Sequence, residues 1–313
     1  MCCLFGVLDY KKSLNQKQIN SILSILSTAC EARGTDATGI SYSFNHKLCV
    51  FKRPLPAHKM HFRIPKGVHC VMGHTRMTTQ GNEKYNFNNH PFIGKADNTD
   101  FALAHNGVIY NDEVLKTKEN LPNSIIETDS YVAVQLIEKK RTLSTDSLKY
   151  MAEQLEGSFT ITVMDTNDTI HFVKGDNPMC IYHFKNLGVY IYASTEEILL
   201  KALSRLRIKL GRYEKINITC GEILTIDKCG NISKSAFETD NLDGFSFASY
   251  IWHTSVPYSK VTPKVVSSYK DEYIEILKSE VEFLGYSSSL VDTLLADGFT
   301  TDDIEEMIYC SAY

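Results

Sequence analysis

The sequence begins Met1-Cys2-Cys3-Leu4-Phe5-Gly6-Val7. Excision of Met1 is favoured by a small following residue, and it would leave Cys2 carrying both a thiol and a free α-amine. With reference pKa values of ~7.7–8.0 for the amine and ~8.5 for the thiol, the amine can act as base for its own side chain. Such a nucleophile needs no separate histidine. The same residues also read as small hydrophobes at the head of a first strand.

Three further stretches hold residues able to do chemistry. In Gly73 to Gly81, GHTRMTTQG, an apolar run from Val68 to Met72 leads to His74, Thr75 and Arg76 at a strand end. Side chains there often project into a site. Arg76 offers a planar fork of donors suited to a carboxylate, or equally to a structural ion pair. Thr78, Thr79 and Gln80 add uncharged hydrogen-bonding groups. In Ala102 to Asn111, ALAHNGVIYN, the Asn106-Gly107 pair has two readings. It fits a tight hairpin turn, or two donors, a side-chain amide and an unhindered backbone N–H, aimed at a developing oxyanion. In Glu127 to Val132, ETDSYV, Asp129 stands near the start of an expected helix. A helix cap and a carboxylate that holds a ligand ammonium are both open to it.

The elements that must position these residues read as mixed strand and helix. An apolar run from Cys3 to Asp9 suits a buried strand, and Ile19, Ile22, Leu23 and Leu26 set a helical stripe within Gln16 to Ala32. Strands are expected at Ile40–Phe44, Leu48–Lys52, Val68–His74 and Phe101–His105, and helices at Asp129–Lys139 and Leu143–Leu155. Further strands fall at Phe159–Asp165, Thr169–Lys174, Met179–Phe184, Val189–Ala193 and Glu222–Ile226, with a helix over Thr195–Leu206. Many strands with few helices between them predict an α+β layered domain over residues 1–235. Residues 236–268, rich in Ser, Asn, Asp and aromatics without periodicity, read as a linker or irregular wrap. Residues 269–313 regain helical rhythm and predict three short helices, with Gly285 and Gly298 at helix ends and Thr300-x-x-Asp303 as a capping box.

Composition narrows the class of function. The 313 residues carry 33 Lys+Arg against 37 Asp+Glu, a formal charge of −4 that gives no footprint for nucleic acid or an anionic membrane. No run approaches the ~18 apolar residues needed to cross a bilayer, and a signal peptide is not evident. The nine cysteines are odd in number and scattered, without CxxC pairs or Cys/His spacing for zinc. A cytosolic protein acting on a small molecule is expected.

Taken in order, these stretches resemble the glutamine amidotransferase domain of class II, a branch of the N-terminal-nucleophile hydrolases. The likeness rests on MCCLFGV, ARGTDATGI (Ala32 to Ile40), GHTRMTTQG, NNHPF (Asn88 to Phe92), HNGVIYN and ETDSYV. Later echoes, LEGSFTITVMD, KGDNPMCIY and YASTEEILLKAL, extend it to about residue 235.

The resemblance implies a four-layer αββα sandwich with a small helical appendage. It implies Cys2 as nucleophile, Asn106 and Gly107 as oxyanion hole, and Arg76 and Asp129 as partners of the glutamine carboxylate and ammonium. Thr79 and Gln80 match positions lining the glutamine pocket. Arg33 and Asp36 match residues that brace the nucleophile's end of the site, Arg33 nearer the thiol, and His74 and His105 take supporting positions. The implied reaction is hydrolysis of L-glutamine through a γ-glutamyl thioester, with no metal or organic cofactor.

Two departures stand out. Met77 occupies a position commonly aromatic in the family. Cys3 follows the nucleophile where a small residue is usual, and on a strand it faces away from Cys2. Class II domains usually share a chain with a synthase, and the stretch after residue 235 is too short for one, so a separate ammonia-accepting enzyme is expected. Two other functions remain in view: hydrolysis of a γ-glutamyl or other small amide, and a catalytically idle binding or regulatory role if Met1 is retained.

Overall fold

The computed structural model of the protein describes residues 2–242 and, beyond them, residues 274, 275, 277, 278, 281, 282, 286–301, 304 and 307. The chain divides into two compact units, residues 1–251 and 252–313.

The first unit is built on strands buried on both faces. Strand β1 (Cys3–Asp9) is buried throughout, which is why its sequence is a continuous apolar run rather than an alternation. It pairs with β4 (Cys70–Arg76) on one side and β10 (Val189–Ala193) on the other. Adding β2 (Ala37–Phe44), β3 (Lys47–Arg53), β9 (Cys180–Phe184) and β11 (Glu214–Ile216) completes a seven-stranded antiparallel sheet ordered β11-β9-β10-β1-β4-β2-β3. The second sheet has six strands in the order β13-β12-β8-β7-β6-β5. These are β5 (Phe92–Lys95), β6 (Asp100–Ile109), β7 (Gly157–Asp165), β8 (Ile170–Lys174), β12 (Glu222–Ile226) and β13 (Ile232–Ala236).

Side-chain alternation assigns the layers. On β6, Ala102 and Ala104 join the core shared with the first sheet, while Phe101 and Leu103 join a separate core. Helices α2 (Asp112–Lys118), α3 (Tyr131–Lys139) and α4 (Thr145–Gln154) contribute Leu115, Val132, Leu136 and Met151 to that separate core. On the far side of the first sheet lie α1 (Gln16–Cys30) and α5 (Glu196–Arg205), which bury Leu23, Leu26 and Leu199. The result is the expected αββα sandwich, with small alanines where the two sheets approach. Helix α1 opens on a capping box in which Gln18 N donates to Asn15 Oδ1 at 3.0 Å and Asn15 N to Gln18 Oε1 at 2.9 Å.

Several local expectations are corrected. Asn106-Gly107 is not a hairpin turn: β6 runs through it to Ile109, paired residue by residue with β7. Helix α3 begins at Tyr131, so Asp129 precedes it and caps nothing. Strands β5, β11 and β13 and helix α2 had no expectation. Of the stretch read as a linker or irregular wrap, Phe237 and Leu242 are buried in the core beside α3 and α4; residues 243–268 lie outside the described residues, as do Gly285 and Asp303.

In the second unit, α6 (Ser289–Ala296) ends in a Schellman motif, Phe299 N donating to Leu294 O and Gly298 N to Leu295 O, with Gly298 at φ +92°. Leu277, Val281, Val291 and Ile304 form its small core. Among the described residues no helix is long and apolar enough to cross a membrane.

Leu23 is fully buried between α1 and the first sheet. Leu23→Ala is expected to cost 2–5 kcal/mol of unfolding free energy in chemical denaturation. A cost under ~1 kcal/mol would show that this layer is not a packed part of the core.

Candidate active site

The ends of β1, β4 and β6 converge on one pocket. Cys3 pairs with Thr75, which sets Cys2 beside the chain leaving Arg76. The Cys2 sulfur lies 3.5 Å from both the N–H and the carbonyl of Met77. Burial raises its pKa, opposed in part by the Met77 backbone. Cys3 faces the other way into the core with Cys30. The strand alternation thus separates the two adjacent thiols.

Cys2, Arg76, Thr79, Gln80, Gly107 and Asp129 all line this pocket. Met77 and His105 line it too. Arg33, just beyond α1, donates from Nε to the Cys2 carbonyl at 2.8 Å and from Nη2 to Asn106 Oδ1 at 3.4 Å. That second bond fixes which end of the Asn106 amide is spent. The other end, Nδ2, is buried and has no hydrogen-bond partner among the described residues.

Gly107 follows with φ +151°, a conformation that excludes most side chains. A Cβ there would stand 1.8 Å from the Ser158 carbonyl. Ile109 N donates to Asp129 Oδ2 at 2.7 Å, away from β7. Alternation along a strand turns the Gly107 N–H to that same side, beyond the end of β5, which pairs only as far as Leu103.

Arg76 and Asp129 are each 3% exposed. The Arg76 guanidinium bonds to neutral acceptors, Nη1 to Asn89 Oδ1 at 2.7 Å and Nη2 to the Gln80 carbonyl at 2.6 Å. Burial lowers its pKa, opposed by negative groups that include Asp129. The Asp129 carboxylate likewise takes neutral donors, Ile109 N and, at 3.2 Å, Ser130 Oγ. Among the described residues neither has an ion-pair partner. One pocket therefore holds a buried cation and a buried anion, each held by dipoles alone.

The remaining expected residues support the site from outside it. His74 Nε2 donates to the His105 carbonyl at 2.9 Å, joining the two sheets. Asp36 accepts from Thr78 N at 2.7 Å and donates its own N–H to the Arg76 carbonyl at 3.0 Å, so it shapes the turn after Arg76. The Gln80 side chain ties that turn to Asp112 and to the Glu127 carbonyl. Asn89, His90 and Ser130 belong to the site without having been singled out. His90 and Ser130 line the pocket, and Asn89 holds Arg76. NNHPF and ETDSYV contain them, yet only the folded contacts distinguish them from ordinary loop polars. Among the described residues no group of His, Cys, Asp and Glu is placed to hold a metal ion.

Comparison with known proteins agrees with this geometry. A family model of the glutamine amidotransferase domain matches residues 74–201, the segment that includes Arg76, Asn106, Gly107 and Asp129. That segment is similar to a glutamine amidotransferase domain. The chain is similar to a glutamine–fructose-6-phosphate aminotransferase (isomerizing) of Staphylococcus aureus, 27% identical over 87% of this chain and 45% of that protein. It is also similar to an amidophosphoribosyltransferase of Methanocaldococcus jannaschii, 27% identical over 72% of this chain and 48% of that protein. The chain thus spans about half the length of these relatives. In fold it is similar to a glutamine phosphoribosylpyrophosphate amidotransferase of B. subtilis, with a TM-score of 0.61, 20% identity, and coverage of 77% of this chain and 50% of that one.

Four histidines, three of them at or beside the pocket and His171 on β8, are kept neutral by burial. His74 is lowered to about 3 and His171 to about 4, and His90 and His105 are lowered as well, in each case chiefly by desolvation. Folded pKa values below the unfolded value of ~6.5 mean that the unfolded chain binds more protons as pH falls through that value, so stability present above it is lost below it. Each such histidine contributes up to about 1.4 kcal/mol per pH unit. Urea midpoints are expected to fall from pH 7 to pH 5; constant midpoints would mean that these rings protonate in the folded protein.

Proposed function

We propose that the protein hydrolyses the side-chain amide of L-glutamine at this pocket, releasing glutamate and ammonia for an acceptor on a separate synthase. The observation that carries the proposal is the unpaired Arg76 and Asp129. Their charges complement the carboxylate and ammonium of a free amino acid, and a bidentate guanidinium–carboxylate contact is among the stronger polar interactions available.

Removal of Met1 exposes the Cys2 amine. The amine takes the thiol proton, and the sulfur attacks the glutamine Cδ. The resulting oxyanion is stabilised by Asn106 Nδ2, whose lack of another partner among the described residues supports this role, and by the Gly107 N–H. The protonated amine gives its proton to the departing nitrogen, ammonia leaves, and a γ-glutamyl thioester remains. Water, deprotonated by the amine, adds to the thioester carbonyl; the thiolate leaves and recovers the proton, yielding glutamate.

The comparison proteins are named as transferring glutamine nitrogen to fructose 6-phosphate or a phosphoribosyl compound. Here we assign the acceptor chemistry to a partner enzyme, with the helical unit of residues 269–313 as a docking module. Among the described residues every cysteine is a free thiol, which supports a reducing, cytosolic setting.

Asn106→Ala is expected to keep the fold and lower kcat for glutamate release by ~10²- to 10³-fold, read by coupled assay alongside circular dichroism. An unchanged kcat would remove Asn106 from the mechanism. Intact-mass measurement is expected to find Cys2 as the first residue, with Cys2→Ala inactive toward glutamine and toward γ-glutamyl amides. Retained Met1 in active protein, or activity in Cys2→Ala, would overturn the N-terminal mechanism.

A further inference from the structure

Arg76 is aimed by a residue to which the proposed reaction gives no task. Asn89 is fully buried in the segment between β4 and β5, and its side-chain amide is engaged at both ends. Oδ1 accepts from Arg76 Nη1 at 2.7 Å, and Nδ2 donates to the Glu83 carbonyl at 2.8 Å. A guanidinium only donates and a carbonyl only accepts, so these two partners fix the orientation of the amide. The backbone of Asn89 is fixed as well. Lys52 on β3 donates from Nζ to the Asn89 carbonyl at 2.7 Å and to the Pro91 carbonyl at 3.2 Å. Asn86 Nδ2 returns a bond to the Lys52 carbonyl at 2.8 Å. The first sheet thus holds Asn89, and Asn89 holds the guanidinium.

The chemical type of this contact matters as much as its position. A carboxylate at residue 89 would have nearly the same shape and would give Arg76 a buried counter-ion in place of its neutral acceptors. An amide oxygen directs Nη1 without neutralising the charge. Only an amide also has a donor for the Glu83 carbonyl. The neighbouring Asn88 serves another partner, accepting from Glu127 N at 2.9 Å and donating to Glu127 Oε2 at 2.8 Å.

We propose that Asn89 is the positioning residue that makes the pocket select ligands with a free α-carboxylate: it aims Arg76 and, being neutral, leaves the guanidinium charge for the ligand to pair. The inference rests on the glutaminase reading and concerns selectivity at the amino-acid end of the substrate. A ligand carboxylate meets the cation without displacing an internal anion. A carboxylate built into the wall would compete for the same donors and repel the incoming one.

The test uses the full chain and compares kcat/KM for glutamine with kcat/KM for 4-aminobutanamide, which keeps the carboxamide and the ammonium and lacks the α-carboxylate. The unaltered protein is expected to favour glutamine. Asn89→Asp is expected to lower that preference by ~10- to 100-fold, the scale of one hydrogen bond to a charged group, through a higher glutamine KM with kcat nearly unchanged. Asn88→Asp, which perturbs the same segment at Glu127, is expected to reduce both values alike and keep the preference. If Asn89→Asp does not fold, Asn89→Ala removes the acceptor alone and is expected to lower the preference in the same direction. A preference unchanged by substitution of Asn89, or lowered as much by Asn88→Asp, overturns the proposal. Failure of the unaltered protein to hydrolyse either amide would instead sink the glutaminase reading, and equal hydrolysis of both would remove the Arg76–carboxylate contact on which Asn89 acts.

Discussion

The hydrogen bond from His74 Nε2 to the His105 carbonyl joins the two sheets at the point where the site is assembled. His74 stands two residues before Arg76 on one sheet, and His105 directly before Asn106 on the other. The bond therefore sets the separation between the ligand's charged end and the candidate oxyanion donors. It also dictates a protonation state. A second ring proton on His74 would sit on Nδ1, which is buried and has no partner among the described residues, and this cost drives the pKa to about 3. Arg33 adds a tie of another kind, bonding the Cys2 carbonyl and the Asn106 amide from one guanidinium. Nucleophile, amide and charged groups are thus held by buried, short-range contacts between sheets rather than by loops.

Within that frame the site keeps two charges unpaired. Burying an ion without its counter-ion is costly, and a fold selected only for stability would place Arg76 and Asp129 against each other or in water. Here neutral dipoles hold them apart: Asn89 and the Gln80 carbonyl for Arg76, the Ile109 N–H and Ser130 for Asp129. A zwitterionic ligand supplies both missing charges at once. The unfavourable electrostatics of the empty pocket are part of what would drive binding.

Much of this was legible in the sequence, and the exceptions have physical causes. The strand Cys3–Asp9 and the helix Gln16–Cys30, expected within Gln16 to Ala32, were readable because one is a continuous apolar run and the other a clean helical stripe. Asn106-Gly107 invited a hairpin because Asn-Gly favours positive φ locally. Gly107 does adopt it, but pairing of β6 with β7 on both sides keeps the chain extended. Strands β5, β11 and β13 are three to five residues long, with exposed positions in each, too short and too wet for periodicity to register. Among site residues, Cys2, Arg76, Asn106, Gly107 and Asp129 stood out by chemistry and motif order. Ser130 and Asn89 did not, because their importance comes from partners distant in sequence: His105 lies 25 residues from Ser130, and Arg76 lies 13 from Asn89.

The state of the Cys2 thiol bears on which base the proposed mechanism needs. Many reactive cysteines are acidified by a nearby cation or a helix N-terminus. At Cys2 burial outweighs such help: it raises the thiol pKa against the lowering effects of the Met77 backbone, 3.5 Å from sulfur, and of Arg76. A thiol raised by burial favours its protonated form and is helped by a base within reach at the moment of attack. The intrinsic nucleophilicity of a thiolate rises with its pKa. Keeping the thiol protonated until substrate arrives therefore limits wasteful oxidation while preserving a strong nucleophile for the amide. An α-amine, with a reference pKa near ~8, is matched to that task and needs no further side chain. This explains how the surrounding imidazoles are free to stay neutral: the proposed chemistry asks them for hydrogen bonds of fixed polarity, and the proton traffic belongs to the chain terminus.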